Sequence, residues 1–130
     1  MTPQDTRSLL AWCAHYDGRP PSKGMIQAWY AALHKDLTLT DAKKIVSDHY
    51  AKTNYRITVA NINDGYMQLR RERLQRYGPT ERPQPPSDLS GSEYLIFQNA
   101  VTTAIGNGAS PAAAEQYAKR QVKTQKEKAT

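Results

Sequence analysis

Residues 26–76 read IQAWYAALHKDLTLTDAKKIVSDHYAKTNYRITVANINDGYMQLRRERLQR, and this stretch decides the fold. Ile26, Trp29, Tyr30 and Leu33 recur at the spacing of one helix face. Thr40-Asp41 is predicted to open a further helix, with Ala42, Ile45, Val46, His49 and Tyr50 on one side. Residues 52–57 read as a turn. Thr58 then caps a helix carrying Val59, Ile62, Tyr66, Leu69 and Arg73 down one face. Gly65 inside that helix costs about 1 kcal/mol relative to alanine, so local looseness is expected there. No segment alternates with the period of a strand. The expected class is all-α.

Towards the N-terminus, Thr2-Pro3-Gln4-Asp5 has the marks of a helix start. Threonine caps, proline suits the first helical position, and the acid meets the positive end of the dipole. Leu9, Trp12, Cys13 and Tyr16 follow at helical spacing, and Asp17-Gly18-Arg19-Pro20-Pro21 ends the run. Ser22 is placed to cap the next helix, which is predicted to stop near Asp36.

Towards the C-terminus, Tyr77-Gly78-Pro79 closes the arginine-bearing helix. Four prolines (Pro79, Pro83, Pro85 and Pro86) then mark residues 78–91 as a semi-extended linker. Ser90-Gly91-Ser92-Glu93 can cap a fifth helix with Tyr94, Phe97, Val101 and Ile105 on one stripe. Gly106-Asn107-Gly108 ends it. Ser110-Pro111 starts an alanine-rich sixth helix that closes in Lys119, Arg120, Lys123, Lys126 and Lys128. The expected organisation is a four-helix N-terminal domain over residues 1–77, a linker over 78–91 and a short helical segment over 92–130.

Composition narrows the functional classes. The hydrophobic share is 38%, lean for a globular chain. Eighteen basic residues against twelve acidic ones give +6 and a pI near 9.5, which favours polyanionic partners. The single cysteine, Cys13, allows no internal disulfide and reads as a small core residue. The first residues lack the charged and apolar regions of a signal peptide. No run approaches the ~18 apolar residues of a membrane helix. A soluble, cytoplasmic protein is expected.

Chemical motifs are scarce. Cys13 and His15 lie two apart on a helix and point to different sides, and Asp48-His49 are adjacent, so neither pair chelates. CxxC, HExxH, GxSxG and GxxxxGK[ST] are all absent. No carboxylate pair lies in an apolar stretch that would raise one pKa for acid–base work. Neither an enzyme nor a cofactor is expected, and no metal. Any motor function belongs to a partner.

Two surfaces remain as candidates. The helix after Thr58 carries Arg70, Arg71, Arg73 and Arg76, which can hold phosphate oxygens, with Tyr66 or Tyr77 available to stack on a base. Together with residues 40–53 this helix has helix-turn-helix proportions, which makes a DNA-binding regulator the alternative reading. Its base-reading positions would be Val59, Ala60, Asn61 and Asn63, mostly small or apolar, so backbone contact is favoured over sequence reading. The second surface is the stripe Tyr94, Phe97, Val101 and Ile105, with Leu95 and Ile96 beside it. Two short helices do not bury that much apolar surface alone. The stripe is therefore expected either to fold back on the N-terminal domain or to dock on another protein.

The order Trp29-Tyr30, Leu33, Asp36-Leu37, Asp41-Ala42-x-x-Ile45-Val46, His49-Tyr50 and Thr58-Val59-Ala60-Asn61-Ile62 before an arginine-rich helix resembles a known family. It is similar to the small all-helical phage proteins that load or inhibit the bacterial replicative helicase, in the form found in phages of actinobacteria. The likeness covers roughly residues 26–76. The chain departs from that pattern at Ile57, where the family often has proline, and at Asn61, where it often has an acid. The resemblance implies a non-enzymatic adaptor in the bacterial host cytoplasm, acting in phage or prophage DNA replication. Its implied partner is a DnaB-type hexameric helicase, contacted through the C-terminal part, with single-stranded or duplex DNA nearby. The family offers no catalytic residues to carry over.

Overall fold

The computed structural model describes residues 1–78 and 80–129. Pro79 of the expected linker and Thr130 of the expected C-terminal segment lie outside the described residues, as does the side chain of Ala129. The described chain is all-α, with six helices and no strand. They are α1 (Pro3–Asp17), α2 (Lys23–Ala32), α3 (Leu39–Lys52), α4 (Val59–Gln75), α5 (Gly91–Gly106) and α6 (Pro111–Ala129).

Local capping fixes where these helices begin. The Thr2 hydroxyl accepts from the Asp5 N–H while the Asp5 carboxylate accepts from the Thr2 N–H, a reciprocal capping box. Ser22 accepts from the Met25 N–H at the start of α2. Helix α3 starts one residue earlier than expected. It begins at Leu39, before the expected Thr40-Asp41 opening, because the Thr38 hydroxyl caps it by accepting from the Asp41 N–H. Helix α2 also stops earlier, at Ala32. There the Asn63 amide donates to the Ala32 carbonyl and accepts from the His34 N–H, satisfying the frayed end.

The chain divides into two compact units, residues 1–68 and 69–130. The division falls inside α4, between Gln68 and Leu69, and not at the glycine and prolines after Tyr77.

In the first unit α1 packs against α2 and α3. Its core is Leu9, Cys13, Leu33, Leu37, Ala42, Val46, Ile57, Ile62 and Tyr66. Each large aliphatic or aromatic side chain fully removed from water there contributes about 1.5–3 kcal/mol. Gly65 is not a loose point. A Cβ at this position would come within 2.7 Å of the Ile45 Cγ2, so glycine is what lets α4 approach α3.

The second unit is an antiparallel hairpin of α5 and α6 closed by the last turns of α4. Ala114, Ala118 and Val122 recur every four residues on α6 and meet Phe97, Ala100, Val101 and Ile105 of α5. Leu74 and Tyr77 from the end of α4, and Leu89 from the proline-rich segment, cover this cluster. The stripe on α5 is thus covered within the second unit, by α6 and by the end of α4, a helix that the sequence places in the N-terminal domain. Small alanines let two short helices approach closely, and the end of α4 supplies the third wall. The proline-rich stretch is anchored as well, since Arg82 donates to the Leu74 and Tyr77 carbonyls at the end of α4.

Candidate functional site

The four arginines of α4 separate into two kinds. Arg70 lays its stem on Gly106, close enough that a Cβ there would meet the Arg70 Cγ at 2.6 Å. Arg73 donates through Nη1 to the Gly106 carbonyl at 3.0 Å, placing a cation at the C-terminal end of α5. Both hold the second unit together. Arg71 and Arg76 are exposed. The expected phosphate-binding set of Arg70, Arg71, Arg73 and Arg76 therefore reduces to Arg71 and Arg76 as outward cations. The stacking residues proposed beside them are also occupied. Tyr66 is buried against the His34 ring, with centroids 4.8 Å apart, and Tyr77 packs on the second core.

The helix-turn-helix positions are engaged too. Asn61 accepts from the Thr58 N–H at 3.0 Å while the Thr58 hydroxyl accepts from the Asn61 N–H at 3.2 Å. Asparagine here does the capping work that an acid would do. Asn63 is committed to the end of α2, and Val59 packs on the first core. Ala60 is the one of the four without such a role, and an alanine offers a base no hydrogen bond. Ile57 is buried, and its N–H donates to the Tyr50 hydroxyl, a bond that proline could not make.

The expected partner-binding stripe is corrected in the same way. Phe97, Val101 and Ile105 are the core of the second unit, buried by α6, and are not a free surface. Tyr94 and Leu95 do face outward, at 42% and 59% exposure. They sit on the first turn of α5, whose start is fixed by a second capping box. The Ser90 hydroxyl accepts from the Glu93 N–H and the Glu93 carboxylate accepts from the Ser90 N–H. Lys126, at the end of α6, approaches the other Glu93 oxygen at 3.2 Å. Hydrogen bonds from Ser90, helped by the Lys126 ammonium, hold the Glu93 carboxyl below its ordinary range.

Two features were missed in the sequence. One is Arg82, whose capping role depends on a turn that brings it back to α4. The other is the pairing of Tyr16 with Tyr50, thirty-four positions apart. In the sequence each tyrosine fits the stripe of a separate helix. A clue was present in the density of aromatic and basic residues around 43–56.

Cys13 is buried as expected. Burial first, and then the Asp17 carboxylate, push its thiol up to about 12. Among the described residues there is no group of three or more His, Cys, Asp or Glu placed to hold a metal ion. Among them no helix is long and apolar enough to cross a membrane. No protein-family model, curated protein or solved structure matches the chain.

Proposed function

We propose that this protein is a non-enzymatic adaptor that binds a DnaB-type hexameric helicase and loads or inhibits it in phage or prophage DNA replication. The observation that carries the reading is the presence of two separately cored units in one short chain, the second presenting Tyr94 and Leu95 outward. An adaptor needs one surface for its partner and another for what that partner acts on. The packing residues of the first unit carry the family resemblance, and the start of α5 supplies an exposed tyrosine, a residue type enriched at interface hot spots, with the exposed Leu95 beside it. An adaptor shifts the helicase ring only by binding one of its states better than another.

The test is co-elution of the full chain with purified host helicase. A complex at micromolar concentration is expected, and Leu95→Glu should abolish it while leaving the helical circular-dichroism signal intact. A helicase that elutes alone at that concentration sinks the reading. The alternative of a DNA-binding regulator is weakened by the engagement of Asn61 and Asn63 in helix ends. It predicts sequence-selective duplex binding, and equal affinity for random and selected duplexes counts against it.

A further inference from the structure

The first unit carries a row of rings at the edge of its core, where Trp12 and Tyr50 pack against the buried cluster and Tyr16 lies beyond it. Tyr16 of α1 stacks on Tyr50 of α3 with centroids 4.8 Å apart and planes 8° from parallel. Trp12 meets Tyr16 edge-on at 6.3 Å, and the Lys43 ammonium stands 5.2 Å from the Trp12 ring. Hydrogen bonds fix the row. The Trp12 indole N–H donates to the Ser47 hydroxyl at 3.2 Å, and the Tyr16 and Ser47 hydroxyls are 3.1 Å apart. Tyr50 accepts from the Ile57 N–H at 3.1 Å. Tyr16 nevertheless keeps 45% of its surface exposed.

Beside this row lies an open cavity of about 450 Å³, lined by Tyr16, Asp17, Tyr50, Thr53, Asn54 and Arg56. That is within the ~300–1,000 Å³ of sites that take a small flat ligand. Its walls combine an aromatic stack, an amide with both donor and acceptor, a carboxylate and a guanidinium. The Asp17 carboxylate, held by the Arg19 N–H at 3.0 Å, is unfavourable for a phosphate inside the cavity. It is favourable for the amino edge of a nucleobase. Arg56, on the cavity's rim, and Lys43, over Trp12, are cations for a phosphate that stays outside. Between residues 43 and 56 four basic side chains face one acid, Asp48, which Lys44 already pairs at 3.4 Å.

We propose that this cavity is a single-stranded nucleic-acid site, in which a base extends the Tyr16–Tyr50 stack and Arg56 holds the neighbouring phosphate. Preorganised rings flanked by cations are the general device for binding single strands with little sequence preference. The site moves nucleic-acid contact away from α4, where Arg70 and Arg73 are structural. It stands independently of the helicase reading, which rests on Tyr94 and Leu95.

The test is fluorescence anisotropy of labelled single-stranded dC20 and dT20 against the full chain at about 50 mM salt, a concentration at which phosphate contacts are strong. Trp12 quenching is followed in parallel in a Trp29→Phe background. Saturable binding is expected, with Trp12 quenched, dC20 favoured over dT20 and inorganic phosphate unable to compete. Tyr16→Ala should weaken binding roughly ten-fold. Tyr16→Phe, which keeps the stack, should bind as the parent does and guards against a folding defect. Arg56→Gln should lower the slope of log affinity against log salt by about 0.7, the signature of one lost phosphate contact. Absence of saturable binding overturns the proposal. So does binding that survives Tyr16→Ala but disappears on replacing Arg71 and Arg76, and so does equal displacement by an acidic polypeptide.

Discussion

The two units solve the same problem with different materials. The first builds its core from four helices that meet at varied side chains, tied by several side-chain polar bonds. Trp12 reaches Ser47, Asn63 closes α2, and Tyr50 holds Ile57. The second builds its core from two helices that meet along alanines, with an arginine from α4 on the last carbonyl of α5. Small residues substitute proximity for bulk. The first unit keeps Tyr16 half exposed beside its core, whereas the second, among its described residues, exposes Tyr94 and Leu95 and sets Arg73 on a helix end. Two of the four arginines, Arg70 and Arg73, are structural, and the proposed binding surface falls instead on Tyr16 and Tyr50, which the sequence places on two separate helix stripes.

The sharpest way to break this comparison is Phe97→Ala. Truncating a fully buried phenylalanine costs about 3–5 kcal/mol, much of what a small hairpin core can supply. Both tryptophans lie in the first unit, so their fluorescence reports that unit alone. The expected outcome is loss of the α5 and α6 contribution to circular dichroism and of their amide-exchange protection, with the tryptophan emission retained. If the tryptophan transition shifts equally, the two cores unfold as one and the contrast drawn here fails.

The pH edges should also differ. In the first unit the folded-state Cys13 thiol is raised to about 12 from 9.0. Its contribution is fully present below pH 9 and is lost as pH rises from there towards 12. Tyr50 is shifted upward too, chiefly by burial, and acts with the same sign above pH 10. In the second unit Glu93 is held below 4.5, so its contribution is present above that value and is lost as pH falls through the folded value. Equilibrium unfolding across pH should show the Cys13→Ala variant with a flatter alkaline limb and Glu93→Gln with a flatter acid limb. The opposite assignment of limbs would refute the linkage argument.

A glycine in each unit tests stiffness. Gly65→Ala would ordinarily gain about 1 kcal/mol of helix propensity. Here the new methyl meets the β-branched Ile45, whose rotamer is restricted, and a net cost of about 1–3 kcal/mol is expected. Combining it with Ile45→Ala should recover part of that loss in a double-mutant cycle. Gly106→Ala meets the flexible stem of Arg70 instead, so a smaller cost, below about 1 kcal/mol, is expected from chemical denaturation. Equal costs would mean that Arg70 is as rigid as Ile45.

What could be read from the chain follows from the range of each interaction. Thr2, Ser22, Thr58 and Ser90 were legible as caps because a cap and its target lie three residues apart. The all-α class followed from periodicity. The unit boundary was not legible. Glycine and proline after Tyr77 report that the backbone leaves the helix, but not that Leu74 and Tyr77 pack on residues beyond the turn. The stripe Phe97, Val101 and Ile105 announced that something must cover it. Only the three-dimensional pairing with Ala114, Ala118 and Val122 says what does, because alanine carries almost no hydrophobic signal of its own. Tyr16 and Tyr50 each fitted a stripe, and nothing local distinguishes a ring turned inward from one stacked at the edge.

The smallest expected effect sharpens the reading of α4. Asn61 stands where an acid would complete the capping box with Thr58, and it already accepts from the Thr58 N–H. Asn61→Asp keeps that acceptor and adds a negative charge to the first turn of a helix. The dipole and the charge-assisted bond should together stabilise the first unit by about 0.3–1 kcal/mol at low ionic strength. The gain should shrink as salt is added, since Asn61 is exposed and its charge would be screened. Tryptophan-detected urea unfolding at two salt concentrations measures it. A loss of stability at both would mean that the Asn61 amide N–H₂ has a partner of its own. Asparagine would then be chosen here for that bond, and not merely as an uncharged stand-in for an acid.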